Sequence, residues 1–281
     1  MALLLGATLA WVAVATLPDG RLHVTFLDVG QGDAILVQTP AGNRILIDGG
    51  PSPELLLDAL GRRLPFWDRR IDLVLLSHPH DDHLRGLLSV IERYQVRQVL
   101  VGSIPTPPSS LSAQGGTAVA QHWQELLKEH GIPILPVEQS LEIDLGDGVT
   151  AQVLPASADG NGGEVWLVAR LISQSATFLL TGDLEAAALS RLGQNGWQLS
   201  STVLKVPHHG SSAALEEELL DAIRPQLAIV SVGSDNRFGH PAASTLALLA
   251  EHSIRTLRTD QVGDIDVIVD TQGWRVSTRK R

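Results

Sequence analysis

The 281-residue chain contains no cysteine, which excludes disulfides and thiolate metal sites alike. That composition suits an oxidising exterior, where a stray thiol is a hazard, without fixing the compartment. Positive charge is scarce as well: 21 Lys and Arg against 31 Asp and Glu leave a formal net charge of −10. A module that coats nucleic acid by neutralising phosphates is usually basic, so that class is disfavoured. An enzyme whose bound cations supply positive charge locally is not. No internal repeat close enough to recognise by identity and no long linker interrupt the soluble part. What the chain does have is apolar surface. With 44% hydrophobic and 19% charged residues it can bury a sizeable core and lies outside the disordered range.

The N-terminus is different in kind. "MALLLGATLAWVAVATL", residues 1–17, carries no charged side chain, and the first basic residue is Arg21. This length sits at the lower edge of a membrane-spanning helix. A secretory leader normally has a Lys or Arg before its apolar run, although "AVA" at 13–15 fits a cleavage site; a buried core helix is the third reading. The expectation is a short transmembrane helix over 1–17, or the C-terminal part of one, ahead of a domain over 21–281 outside the cytosol.

From Pro18-Asp19-Gly20 onward the pattern is α/β. "LHVTFLDV", "AILVQT" and "NRILID" are strand-like runs joined by Gly-rich turns, an antiparallel meander. "PELLLDALGRRL" is helical, "IDLVLLS" a buried strand, "LRGLLSVIERY" a helix and "VRQVLVG" a strand. "IPTPPSSLSAQGG" is a long loop, and helix "TAVAQHWQELLKEHG" stops at Gly131. The second half repeats the style. Hairpins form over "LEIDLGDGVTAQVL" and "EVWLVARLISQSATFLLTGD". Helix "LEAAALSRLG", strand "TVLKV", helix "ALEEELLDAI", strand "QLAIVSV", helix "ASTLALLAEH" and terminal strands "DIDVIVD" and "WRVST" follow. Strands first, then strand–helix alternation, twice over, predicts two face-to-face sheets with helices outside: a four-layer αββα arrangement.

The chemistry concentrates in "SHPHDDH", residues 77–83. His78 and His80 are two apart on a segment leaving a strand and so point to one side, a spacing at which two imidazoles can grip one ion. Asp82 and His83 lie a turn further on, where a second ion would accommodate them, as in two-metal hydrolytic sites. The competing reading is a polar strand exit with an Asp capping the following helix. Four ligands cannot close two shells, so others are required downstream. Asp183 in "FLLTGD" and the pair His208 and His209 in "LKVPHHGSS" each follow a strand-like run. Each alone reads as a turn or cap; together they form candidate ligands, because strand ends and their loops converge in layered α/β folds. Imidazole and carboxylate donors without sulfur select Zn²⁺ or Mn²⁺.

"SHPHDDH", "LLTGD" and "KVPHHGS", in this order, resemble the metallo-β-lactamase superfamily. "FLDVGQGDAILVQTPAGNRILIDGG" at the front and "GHP" at 239–241 narrow the resemblance to the C-terminal hydrolase-like domain of ComEC, the bacterial DNA-uptake channel family. It covers roughly residues 21–279, and a preceding transmembrane helix is expected there too. The resemblance implies an αββα sandwich with a dinuclear site at one edge of the sheets. His78 and His80 would hold one ion, Asp82 and His83 the other, and Asp183 would bridge them. His209, or in its place His208, would complete a shell, with the neighbour near the scissile group. Asp48 in "LIDGG" would orient ligands; Gly30, Gly32, Gly49 and Gly50 would allow tight turns beside them. One departure stands out. The histidine that the superfamily often places between the first cluster and "TGD" is absent, since no His occurs from 131 to 207. The "NDNS"-like stretch of ComEC relatives is only partly matched by Asn161-Gly162-Gly163-Glu164, where Glu164 is a substitute ligand or a surface acid.

The expected activity is metal-dependent hydrolysis of a phosphodiester in incoming DNA, single-stranded, at the outer face of the bacterial cytoplasmic membrane. Upstream channel helices and competence proteins are expected partners. Two cations would activate water and stabilise growing charge. Asp82 would orient or accept its proton, and His208 or His240 in "RFGHP" would protonate the leaving oxygen. Competing expectations are a membrane-anchored or secreted hydrolase of a small ester, lactam or phosphodiester, a non-catalytic DNA-docking domain, and a domain with a structural metal. Arg85, Arg93, Arg237 and Arg255 are the arginines a DNA groove could use, and none is assigned to the site.

Overall fold

The structure, a computed structural model, describes residues 18–102, 116–157 and 164–280. The expected membrane helix over 1–17, nearly all of the Pro/Ser/Gly loop and Asn161 to Gly163 lie outside the described residues. Among the described residues, no helix is long and apolar enough to cross a membrane.

The first half runs β1 (Leu22–Phe26), β2 (Ile35–Gln38), β3 (Arg44–Ile47), α1 (Pro53–Arg63), β4 (Arg70–Ile71), β5 (Leu73–Leu76), α2 (Asp81–Arg93), β6 (Gln95–Val96), β7 (Val99–Val101), α3 (Gly116–Glu129) and β8 (Ile134–Pro136). The second runs β9 (Leu141–Asp144), β10 (Thr150–Ser157), β11 (Val165–Ile172), β12 (Thr177–Leu180), α4 (Ala186–Gln194), β13 (Val203–Lys205), a 3₁₀ turn (Pro207–Gly210), α5 (Glu217–Ile223), β14 (Leu227–Val230), α6 (Ala243–Glu251), β15 (Arg255–Arg258), α7 (Thr259–Val262), β16 (Asp264–Asp270) and β17 (Gly273–Arg279).

Local sequence accounts for the helices. In α1, Pro53 takes the first turn, where its missing N–H costs nothing, and Ser52 Oγ accepts from the Leu55 amide at 3.2 Å. Leu56, Ala59 and Leu60 form the buried stripe, as helical periodicity requires. Helix α2 starts at Asp81, so Asp82 and His83 occupy its first turn. Its cap position is His80, without a side-chain cap bond; no aspartate caps it, which removes the competing reading of an Asp as the helix cap.

Two large sheets result, in the orders β17-β16-β1-β2-β3-β5-β7-β8 and β15-β14-β13-β12-β11-β10-β9, with β4 and β6 forming a separate two-stranded pair. One apolar core lies between the two large sheets, with Phe26, Leu75, Phe178, Leu180 and Val267. A second packs Leu56, Leu60, Leu87, Val90 and Trp123 between the first sheet and its helices. A third packs Leu189, Leu219, Ile223 and Leu249 outside the other sheet. The chain is therefore a mixed α/β sandwich with helices on both outer faces. Each fully buried Phe or Leu contributes about 1.5–3 kcal/mol of transfer free energy.

The terminal strands cross over: β16 pairs antiparallel with β1, Leu22 opposite Val269. They complete the first sheet instead of the second, because alternation decides which face of a strand is buried and not which strand lies beside it.

Parallel pairing positions the chemistry. β3, β5 and β7 run parallel in the first sheet, and β12, β13 and β14 in the second. Their carboxyl ends lead into Asp48, Ser77-His78, Thr181-Gly182-Asp183, the His208–His209 turn and Ser231. Crevices at such ends are where open α/β sheets bind ligands.

Candidate metal centre

Asp48 follows β3 in a left-handed conformation, φ 60°, which aims its carboxylate along the end of β5. Oδ1 accepts from the Ser77 amide at 2.7 Å and Oδ2 from Ser77 Oγ at 2.6 Å. The same Oδ2 lies 2.8 Å from His83 Nδ1. Ser77 Oγ is also 3.0 Å from His78 Nδ1. Both imidazoles are thus held by Nδ1, which leaves Nε2 directed into the crevice. The close approach of α2 depends on glycine: a Cβ on Gly86 would lie 1.9 Å from the Gly49 carbonyl oxygen, and one on Gly32 would lie 2.2 Å from that of Asp82.

Asp183 sits at the centre, after the left-handed Gly182. Its Oδ1 lies 3.3 Å from His83 Nε2 and 3.6 Å from His209 Nε2. Its Oδ2 lies 3.7 Å from His78 Nε2 and 3.8 Å from His208 Nε2. His209 is buried, with Nδ1 2.9 Å from the Ser231 carbonyl oxygen and Nε2 3.3 Å from Asp82 Oδ2. His208 is half-exposed, and its Nδ1 is 2.9 Å from Glu185 Oε1.

These atoms can accept a cation. Nε2 of His78, His83 and His209 and Oδ1 of Asp183 are buried without a hydrogen-bond partner, a cost that native proteins rarely leave standing. Asp82, His83, Asp183 and His209 each offer one donor atom, all within 4.8 Å of one another. Burial disfavours charge on His78, and with His83 beside it the pKa falls well below the usual imidazole value, so the ring is the neutral ligand form. For His83 burial acts the same way but is outweighed by Asp183 and Asp48, which hold its pKa well above the usual value. Burial would raise Asp82, yet His209, 3.3 Å away, and the charge on His83 bring it to about 2. Asp48 is pushed up by burial, against the pull of His83.

Sequence reasoning missed three members. Lys205, fully buried at the end of β13, donates to the Gly182 carbonyl oxygen at 2.7 Å, lies 3.7 Å from Asp183 Oδ1 and pairs closely with Asp33 Oδ2. Asp33, from "GQGD", has its other oxygen 3.6 Å from His209 Nδ1. A lysine this deep requires a partner. Nothing in "LKV" or "GQGD" shows that the two meet across the sheets, although a lysine at the inward end of an apolar strand was a signal worth weighing. Trp166 is the third omission: its ring stacks on His78 at 4.2 Å between centroids.

The remaining expected residues lie at the rim. His80 is exposed, its ring 4.4 Å from that of His78 and 5.6 Å from Trp166. His240 lies 5.6 Å, ring to ring, from His208. Its pKa is lowered by partial burial and by His208 and His209. Its loop is held by Asn236, whose side chain bonds the Gly233 and His240 carbonyl oxygens at 2.8 and 2.9 Å and the His240 amide at 3.0 Å. The exposed Glu164 accepts from Trp166 Nε1 at 3.1 Å. Arg85 pairs with Asp81, and Arg237 lies 5.6 Å from the exposed Phe238 ring.

A mixed α/β sandwich with histidines and aspartates gathered at the strand ends defines a protein with a candidate metal centre. The sequence pattern of the Metallo-beta-lactamase superfamily matches residues 27–234, and the chain belongs to that superfamily. It is 31% identical to ComE operon protein 3 of Bacillus subtilis (strain 168), over 86% of this chain and 32% of that protein. It is 29% identical to Competence protein ComA of Neisseria gonorrhoeae, over 88% and 32% respectively. Recombination protein 2 of Haemophilus influenzae is 28% identical, over 87% and 28%. The chain thus spans about a third of the length of these relatives. Among solved structures, CmlA, a diiron β-hydroxylase from Streptomyces venezuelae, shares the fold with a TM-score of 0.53 at 15% identity, over 92% of this chain and 54% of that one.

Proposed function

We propose that this chain is a dinuclear metal-dependent phosphodiesterase, the nuclease domain of a ComEC-type competence protein, acting on single-stranded DNA outside the cytoplasmic membrane. The observation that carries the reading is Asp183: its two carboxylate oxygens face two different groups of buried or half-buried imidazoles. Competence and recombination in the names of the relatives support a DNA substrate, and the apolar run at 1–17 supports membrane attachment.

In this reading His78 and His80 would hold one ion, Asp82, His83 and His209 would hold the other, and Asp183 would serve both. Zn²⁺ or Mn²⁺ bound there would make water nucleophilic near neutral pH and neutralise charge on a phosphate. Asp82, with its carboxyl at about 2, remains an anion that would orient the attacking water. His240, held by Asn236 beside His208, carries a proton to the leaving oxygen. Asp48 fixes His83, and through Ser77 also His78, in the tautomer that presents Nε2. A formal charge of −10 means that DNA affinity depends on the cations.

The test is cleavage of end-labelled single- and double-stranded DNA by the 281-residue chain in Mn²⁺, Zn²⁺ or EDTA, beside an Asp82→Ala, His83→Ala variant. Single-strand cleavage that requires the ion and disappears in the variant is expected. No cleavage by chain carrying two ions would move the assignment to a small ester, lactam or phosphodiester. A folded chain that binds no ion would defeat both and leave a docking domain.

A further inference from the structure

Asp183 sorts the surrounding imidazoles. Oδ1 faces His83 and His209, with Lys205 behind, whereas Oδ2 faces His78 at 3.7 Å and His208 at 3.8 Å. The Oδ1 side is well supplied, since Asp82 joins His83 and His209 there. The Oδ2 side has His78 and, at the rim, His80. A Zn²⁺-like ion takes four donors at closed sites and three protein donors plus water at catalytic ones.

From these contacts we infer that His208 is a ligand of the ion on the His78 side, so that the adjacent histidines 208 and 209 each serve a different ion across Asp183. The inference rests on the dinuclear reading above and adds a residue to it. Three observations support it.

His208 is tied the way ligating histidines are tied. Its Nδ1 is fixed by Glu185 Oε1 at 2.9 Å, and that oxygen is braced by Ser211 Oγ at 3.0 Å. A carboxylate on one ring nitrogen sets the tautomer and leaves the other as the donor. His209 is treated alike, with the Ser231 carbonyl on Nδ1 and Nε2 unpartnered. The two rings therefore present equivalent atoms.

The backbone is bent to splay them. His208 (φ 45°, ψ 49°) and His209 (φ 51°, ψ 21°) are consecutive left-handed non-glycine residues, followed by Gly210 at φ 81°. Such residues are costly and persist where surrounding structure enforces them, typically at functional sites. Here the turn is enforced by Ser211 N–H to the His208 carbonyl oxygen at 2.9 Å and Ala242 N–H to that of Gly210 at 2.7 Å. The result is two neighbouring rings 6.2 Å apart and inclined at 67°, one on each side of the carboxylate.

The alternative source of oxygen is engaged elsewhere. Glu164 gives its carboxylate to Trp166 Nε1.

The experiment is metal titration of the full chain with Co²⁺ and Mn²⁺, read by equilibrium dialysis with elemental analysis and by the visible Co²⁺ spectrum. Wild type is expected to hold two ions. His208→Ala should retain one ion at wild-type affinity, hold the second at least tenfold more weakly, and lose the Co²⁺ absorption of that site. Glu185→Gln should weaken the same ion less. His240→Ala should keep both ions and the full spectrum. Two ions with unchanged affinity and spectrum in His208→Ala would overturn the inference. If that variant does not fold by circular dichroism, His208→Asn is read against the same criteria. Fewer than two ions in wild type would instead overturn the dinuclear reading beneath it.

Discussion

Beneath α1, Arg62 and Arg63 meet Asp264 and Asp266 of β16, with His23 and Thr25 alongside; across the molecule, Asp48, His78, His83, Asp183 and His209 meet at the strand ends. Both clusters bury charge, and they differ in how it is satisfied. In the first, each carboxylate oxygen has a donor: Asp264 takes the Asp28 amide at 3.0 Å and Arg62, while Asp266 takes Thr25 Oγ1 and His23 Nδ1, both at 3.0 Å, and Arg63. Only the two arginine Nε atoms lack partners. In the second, three imidazole Nε2 atoms and a carboxylate oxygen are left open toward one another. A closed cluster stabilises a fold. An open one is shaped for something from outside.

Three changes would break or sharpen that contrast. The largest effect is expected from Asp264→Ala, which leaves two guanidinium groups against a buried gap. It should cost about 3–5 kcal/mol, seen as a lower urea midpoint, while the number of bound ions per folded chain stays the same. A loss of ions instead would mean that the closed cluster also serves the site.

Asp48→Asn should act in the opposite sense. Its hydrogen bonds to Ser77 and His83 orient donors, so metal affinity should fall roughly 10–100-fold, with little change in the urea midpoint of the EDTA-treated chain. Unaltered affinity in a dialysis experiment would reduce Asp48 to a packing residue.

The smallest effect is on pH dependence. Burial opposes charge on His23, yet Asp266 and Asp19 raise its pKa above 6.5. Its contribution is therefore complete below pH 6.5 and lost as pH rises through the raised value. Asp82, lowered from 3.8 to about 2, contributes above 3.8 and loses that contribution as pH falls toward 2. In EDTA the wild-type urea midpoint should decline from pH 6 to 8 more than that of His23→Gln. Parallel curves would remove His23 from the account.

Much of the sandwich was legible because alternation and helical periodicity are local. α1, the meander of β1 to β3 and the β9–β10 and β11–β12 hairpins follow from their own residues and turns. "SHPHDDH" was legible as chemistry for the same reason, with five imidazole or carboxylate side chains close in sequence. The return of β16 to the first sheet was not, and neither was the Lys205–Asp33 pair, whose members are 172 positions apart and meet only when the two sheets close.

The sequence by itself determined which residues could bind a cation and which strands could carry them, since donor chemistry and side-chain period belong to the residue and its neighbours. Tertiary structure decided the rest: that Asp183 stands between two groups of imidazoles, that Asp48 holds His83, and that His208 and His209 turn to opposite sides. Those facts depend on distances between segments far apart in the chain, which exist only once parallel strand ends are brought to one crevice.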